Sequence, residues 1–395
     1  MSSAPTTRLG LERFLDTETE RFRGRRLALL AHPPSVDSEL THAIDRVVGH
    51  PDLDVVGLFG PQHGILGEKQ DNMIESASGV HEGTGLPLHS LYGEVRQPTP
   101  EMLAGLDTLL VDMQDVGVRI YTFAQTLSLV MEACGRAGVS VCVLDRPNPV
   151  GSAVEGPCLE EGFESFVGLH PNPLRHGMTM GEIAHWYRDG RGIDCELEVV
   201  TMEGWDAASH WDETGLPWVL PSPNLPTLDS CVVYPGMVLL EGTELSEGRG
   251  TTRPFELVGA PGVDPQALAA ALTDAELPGT FFRPCHFEPT FQKHAGALCG
   301  GVQVHVTDRR AFLPVATTVA LLAALRRLAP EALRWRDPPF EYEEVQLPID
   351  ILWGSSKLRE AIDAGAGHRE ILADDAAEAA EFTASVAEHL LYPRS

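Results

Sequence analysis

Positive charge is scarce in this chain. Its 395 residues include 29 lysines and arginines against 57 aspartates and glutamates, a formal net charge of −28, and the lysines are only Lys69, Lys293 and Lys357. Such a field repels phosphate backbones and anionic lipid, and no basic run exceeds Arg23-Gly-Arg-Arg26, so neither nucleic acid nor a membrane surface is an expected partner. Cysteine is sparse too: seven residues, never in a C-x-x-C pair, which suits reduced, buried small hydrophobes. Cys285-His286 with Cys299 fits no zinc spacing, and no H-x-H or H-E-x-x-H pattern occurs, so no metal is expected. Long apolar runs are missing, and the stretch from Met1 to Arg8 lacks the features of a secretory signal; a cytoplasmic location is the expectation.

The nucleotide motifs are also lacking. After the first apolar run stands Ala31-His-Pro-Pro34, where prolines remove the N–H groups that would cradle a pyrophosphate; there is no P-loop and no G-x-S-x-G elbow. An NAD enzyme is therefore disfavoured.

What is present is an alternation of short β-type runs (27–31, 54–59, 108–112, 139–145) with amphipathic stretches (38–48, 121–137), the pattern of a mostly parallel α/β sheet. Thr179 with Glu182 forms a capping-box pattern that opens a further helix. The Pro-rich passage Leu220-Pro-Ser-Pro-Asn-Leu-Pro-Thr227 can continue neither helix nor strand and divides the chain into 1–228 and 229–395. Beyond it the pattern predicts helices near 265–272 and 317–328, strands near 281–287 and 302–306, and acidic helical stretches to the end.

Polar clusters follow three of the predicted strands: Gln62, His63, then Glu68 to Asn72; Asp112, Gln114, Asp115, Arg119 and Tyr121; and Asp145, Arg146 and Asn148. Ligands of open parallel sheets bind beyond the carboxyl ends of the strands, so these clusters, with His176, mark one rim as a candidate site. Carboxylates among amides and arginines suit a hydroxylated, anionic ligand and general acid/base hydrolysis. Each residue also has a structural reading. Asp112 and Asp145 can cap turns, Asn148 can shape one, Asp115 and Arg119 can pair at i,i+4, and His63 and His176 can be hydrogen-bonded core histidines.

In order along the chain stand Gly60-Pro-Gln-His-Gly64, Asp112-Met-Gln-Asp-Val-Gly-Val-Arg-Ile-Tyr-Thr122, Leu144-Asp-Arg-Pro-Asn-Pro149, Arg175-His-Gly-Met-Thr179, Pro221-Ser-Pro-Asn-Leu-Pro226, Tyr234-Pro-Gly236 and Glu241-Gly-Thr-Glu-Leu-Ser-Glu-Gly-Arg-Gly-Thr251. Together they resemble the NamZ-type exo-β-N-acetylmuramidase family, over residues 26–367. The resemblance implies an α/β fold: a Rossmann-like parallel-sheet N-terminal domain, a smaller α/β C-terminal domain, and a cleft between them. It also implies release of N-acetylmuramic acid or a related amino sugar from the non-reducing end of peptidoglycan fragments, without metal or cofactor. A muropeptide is the expected partner, and a homodimer is compatible with it.

Two departures stand out. Many members have glutamate where this chain has Gln62, and the family is usually exported. With Gln62 unable to exchange a proton, Glu68 and Asp115 become the candidate acid/base pair, assisted by His63 and Tyr121. Gln62, Asp112, Gln114, Arg119, Arg146, Asn148, His176, Asn224, Glu241 and Arg249 are the candidate sugar contacts. The glycines of 241–251 would let backbone approach the sugar. Arg119, Arg146, Arg249 and Arg253 would make a positive pocket inside a negative shell. A catalytically silent sugar-binding protein and a metal-dependent hydrolase are the alternatives.

Overall fold

The computed structural model describes residues 7–70 and 74–395. Asp71 and Asn72 of the second polar cluster, and most of the N-terminal stretch, lie outside the described residues.

The four predicted strands form and lie side by side. A seven-stranded sheet contains β1 (Arg26–Ala31), β2 (Asp54–Gly60), β3 (Gly79–Val80), β4 (Pro87–Ser90), β5 (Thr108–Asp112), β6 (Ser140–Leu144) and β9 (Leu197–Val200), in the order β3-β4-β2-β1-β5-β6-β9. All neighbours are parallel except β3 and β4. The central strands are apolar and buried on both faces, as parallel strands covered by helices must be. The helix Phe123–Ala137 places Leu127, Val130, Met131 and Cys134 against the sheet, all fully buried. Burial of a large apolar side chain of this kind stabilises by roughly 1.5–3 kcal/mol. Gly138 then stops the helix at φ +69°.

A short hairpin, β7 (Glu155–Cys158) with β8 (Pro173–Arg175), leads to the helix Met180–His185, whose Thr179/Glu182 capping box forms as expected. The second half carries a three-stranded antiparallel sheet, β10 (Leu257–Ala260), β12 (Cys299–Val306) and β11 (Thr280–Phe287), with the helices Pro265–Thr273 and Pro314–Leu328. One hydrophobic core runs through both halves. The C-terminus returns to the first half, where Tyr392 donates its hydroxyl to Asp145 at 2.6 Å and Arg394 pairs with Glu182 at 2.7 Å.

Two expectations change. Helix 38–48 shortens to Ala43–Val48 because Asp37 Oδ1 accepts the N–H groups of Glu39 and Thr41, which turns the chain. Within the supposed helical C-terminal stretch, residues 340–343 form a tight turn instead, Phe340 and Glu343 exchanging backbone hydrogen bonds at 2.9 Å.

Candidate active site

The rim beyond β1, β5 and β6 is filled by its own side chains. Asp112 and Arg146 form a buried ion pair, with Nη2 to Oδ2 at 3.0 Å and a second bond from Nε to Oδ1. Arg119 is fully buried and gives its guanidinium to the carbonyls of Pro157, Asn172, Leu352 and Trp353 at 2.8–2.9 Å, so it fastens the two halves through main chain. Gln114 donates to the carbonyls of Asp115 and Pro147 at 2.8 Å. Asp115 Oδ2 accepts the Gly117 N–H at 2.6 Å and lies 3.5 Å from His176 Nε2. Asn148 bridges Met178 O and Val150 N at 3.1 Å, and it packs so closely on Gly117 that a Cβ there would come within 2.5 Å of Oδ1. His32, ending β1, takes the Gln114 N–H at 2.8 Å, so protein occupies the place where a pyrophosphate would sit.

The cavity with convergent polar groups lies deeper, between the halves. It is a narrow pocket in which water-sized centres have only about 30 Å³ of room. Gln62 and His63 reach it from the end of β2, Tyr121 and Thr122 from the turn before Phe123–Ala137, and Ser222 and Asn224 from the Pro-rich passage. Tyr234, Glu241, Arg249, Phe255, Phe340 and Glu341 close it from the second half. Of the sequence-derived candidates, then, the pocket gathers Gln62, His63, Tyr121, Asn224, Glu241 and Arg249. Asp112, Gln114, Asp115, Arg119, Arg146, Asn148 and His176 do not line it. Nor does Glu68, which borders a separate cavity beside Lys69, Leu66 and His89.

Glu341, Tyr234 and Thr122 were not among the candidates. Glu341 follows Asp337-Pro-Pro-Phe340 and precedes three more tyrosine or glutamate residues, which reads as an acidic surface loop; an acid between aromatic residues just past a Pro-Pro pair is the one local hint. In the structure Glu341 is 3% exposed. Tyr92 donates to its Oε2 at 2.8 Å, and Gln62 Nε2 lies 3.5 Å from its Oε1. Thr122 Oγ1 donates to Gln62 Oε1 at 2.5 Å, which turns the Gln62 amide nitrogen toward Glu341. Glu341 (φ +45°) and Tyr342 (φ +70°) both occupy the left-handed region without being glycine. Strain of about 1–3 kcal/mol per residue at such positions persists where the surroundings enforce it, commonly at functional sites.

The two pocket carboxylates have opposite surroundings. Burial pushes the Glu341 carboxyl up to about 7, and nearby Glu241 adds to this; the hydrogen bonds from Tyr92 and Gln62 and the charge of Arg96 only partly oppose it. Glu241 is instead ion-paired with Arg249 at 2.7 Å. Arg249 also bonds Glu247 at 3.0 Å, and Glu247 bonds Lys293 at 2.9 Å, so the chain of charges alternates in sign. Burial alone would raise the Glu247 carboxyl, but Lys293 and Arg249 outweigh it and pull it down to about 2. Separated carboxyl environments of this kind divide acid from carboxylate roles.

The expected positive pocket is absent among the described residues. Arg146 and Arg249 are spent on internal carboxylates, Arg119 on carbonyls, and half-exposed Arg253 on Glu256 at 3.2 Å. The glycines of 241–251 also serve protein rather than ligand: a Cβ on Gly248 would lie 2.7 Å from Leu257 O, and one on Gly250 2.4 Å from Phe291 O. No group of three or more His, Cys, Asp or Glu side chains among the described residues could hold a metal ion.

A parallel α/β domain meets a second, smaller domain across a pocket that contains the buried Glu341 carboxyl and the ion-paired Glu241, which defines a two-domain α/β protein with a polar cleft between its halves. The family models for the N-terminal and C-terminal parts of the exo-β-N-acetylmuramidase NamZ match residues 27–229 and 232–392, and the chain belongs to this family. It is 41% identical over 389 residues to the peptidoglycan β-N-acetylmuramidase NamZ of Bacillus subtilis, covering 98% of this chain and 92% of that protein. Two DUF1343-family crystal structures from Bacteroides fragilis share the architecture. One has TM-score 0.89 and 31% identity, covering 99% of this chain and all of that one; the other has TM-score 0.77 and 26% identity, covering 98% and 99%.

Proposed function

We propose that the chain is a glycoside hydrolase that releases N-acetylmuramic acid or a closely related amino sugar from peptidoglycan fragments. The observation that carries the catalytic assignment is the pocket's carboxyl pair, Glu341 poised near neutrality and Glu241 ion-paired with Arg249. Glu341 gives its proton to the glycosidic oxygen as the bond from that oxygen to the anomeric carbon breaks and its electron pair passes to the leaving oxygen. Glu241 faces the developing positive charge of the sugar. Water completes the hydrolysis, its hydroxide part joining the anomeric carbon and its proton restoring Glu341. Tyr121, Tyr234 and Phe255 form an edge-to-face aromatic wall, with centroids 5.9 and 4.8 Å apart, on which a sugar face can rest.

Purified protein is incubated with a chromogenic β-N-acetylmuramide and, separately, with the matching β-N-acetylglucosaminide. Turnover of the muramide supports the reading. Binding without turnover of either would establish the silent sugar-binding alternative instead, and loss of turnover on chelation would establish the metal-dependent one.

A further inference from the structure

Glu341 belongs to the second half of the chain, yet the first half fixes its orientation. Tyr92, just past β4, is 1% exposed and donates to Glu341 Oε2 at 2.8 Å. Its ring meets that of Tyr342, the residue after Glu341, edge to face at 6.0 Å, and the Arg96 guanidinium packs against both, its Cζ 4.6 Å from the first ring and 4.0 Å from the second, with Phe166 at 5.9 Å. Arg96 is in turn tied to the carbonyls of Gly93 and Val95. The ring contact, with a cation packed on both rings, links the Glu341 turn to the first half.

We propose that Tyr92 is a positioning residue of the reaction: its hydroxyl holds Oε2 of Glu341 at 2.8 Å, whereas the Gln62 amide meets Oε1 only at 3.5 Å, so Tyr92 sets the carboxyl's orientation and the loosely held Oε1 delivers the proton. This rests on reading the pocket as a glycosidase site. The groups facing Glu341 are Tyr92, Tyr342 and Arg96 from this cluster, with Glu241 and Tyr234 across the pocket and Arg249 behind Glu241. Tyr92 donates to the charged form of the carboxyl, so its removal makes Glu341 hold its proton to higher pH.

The test compares wild type, Tyr92→Phe and Phe166→Leu by the pH dependence of kcat/KM on an unactivated β-linked muramyl disaccharide. An activated phenol would hide the contribution of an acid. In parallel, infrared titration follows the carboxyl band that Glu341→Gln removes, which needs no turnover. Tyr92→Phe moves both the alkaline limb and the band up by about one pH unit. Phe166→Leu trims the outermost ring of the cluster, 5.9 Å from Arg96, and keeps the Tyr92 hydroxyl bond to Glu341; it lowers the thermal midpoint with limb and band unmoved. An unmoved band in Tyr92→Phe, or an equal movement in Phe166→Leu, overturns the positioning role with the glycosidase reading intact. A wild type that cleaves no muramide, while the band titrates as described, overturns the glycosidase reading and the role with it.

Discussion

Two groups of buried polar residues, one at the sheet rim and one in the pocket, are built in opposite ways. At the rim most charges are held by protein: Asp112 by Arg146, Arg119 by four carbonyls, Asp145 by Thr179, Gly181 and Tyr392, although Asp115 Oδ1 and Gln114 Oε1 find no hydrogen-bond partner among the described residues and burial still raises the Asp145 carboxyl. In the pocket, burial pushes the Glu341 carboxyl up to about 7, and the aromatic side chains of Tyr121, Tyr234 and Phe255 line the cavity beside it. A buried polar group that is fully bonded holds structure together. One whose environment disfavours its charge keeps chemical potential to spend on a substrate.

The sharpest way to break this contrast is to remove one acid from each group. Glu341→Gln keeps size and the bond from Tyr92 but loses the proton. It lowers kcat on an unactivated disaccharide by about 10²–10⁴-fold, and on an aryl glycoside by much less, because a good leaving group needs little protonation. Steady-state kinetics on the two substrates reads this directly, and equal losses on both would deny Glu341 the acid role. Asp112→Asn leaves Arg146 buried with half a partner. It costs about 3–5 kcal/mol in denaturant unfolding, while kcat/KM stays within a few-fold where the protein is folded. A large catalytic loss without destabilisation would move Asp112 from scaffold to site.

The sequence made the scaffold legible because its signals are local. Strand runs, the Gly138 stop and the Thr179/Glu182 capping box depend on near neighbours, and the four predicted first-half strands form within a residue or two of their expected bounds. The site was legible only in part. Gln62, His63, Tyr121, Asn224, Glu241 and Arg249 line one pocket, yet Asp112, Arg146, Asn148 and Arg119 sit in equally conspicuous motifs and hold each other or backbone instead. Composition cannot separate the two fates, because both call for polar residues at strand ends. Glu341 was invisible for the opposite reason: its neighbours in sequence are loop-like, and its partners Tyr92 and Gln62 are 249 and 279 residues away.

Stability against pH extends the comparison. Burial raises Glu341 and Glu155 to about 7 and Asp145 to about 6. For each, the folded chain keeps a proton that the unfolded chain releases in the ordinary carboxyl range. Their contribution is therefore fully present in acid and is lost as pH rises through about 6 to 7, by at most about 1.4 kcal/mol per pH unit for each group. Glu247, pulled to about 2, acts in the reverse sense and weakens the fold only as pH falls below the ordinary carboxyl range. Thermal midpoints are expected to decline from about pH 4, where the unfolded carboxyls begin to ionise, to about pH 7, and to level off above it. Glu155→Gln, outside the pocket, should flatten that decline without moving the pH profile of kcat/KM; a profile that shifts with Glu155 would merge the two groups.

The smallest expected effect belongs to Glu68, which the motif pattern puts forward as the acid once Gln62 is ruled out. Its side chain is 51% exposed and lies 3.3 Å from Lys69, an ion pair that solvent screens to about 0–1 kcal/mol. The cavity it borders is separate from the one lined by Glu241 and Glu341. Glu68→Gln should accordingly change kcat/KM on the disaccharide by less than about twofold, within what loss of one surface charge produces. A hundredfold loss would require the segment after Gly64 to fold over the pocket during turnover and exclude water from Glu68, and would transfer the proton-donating role from the second half of the chain to the first.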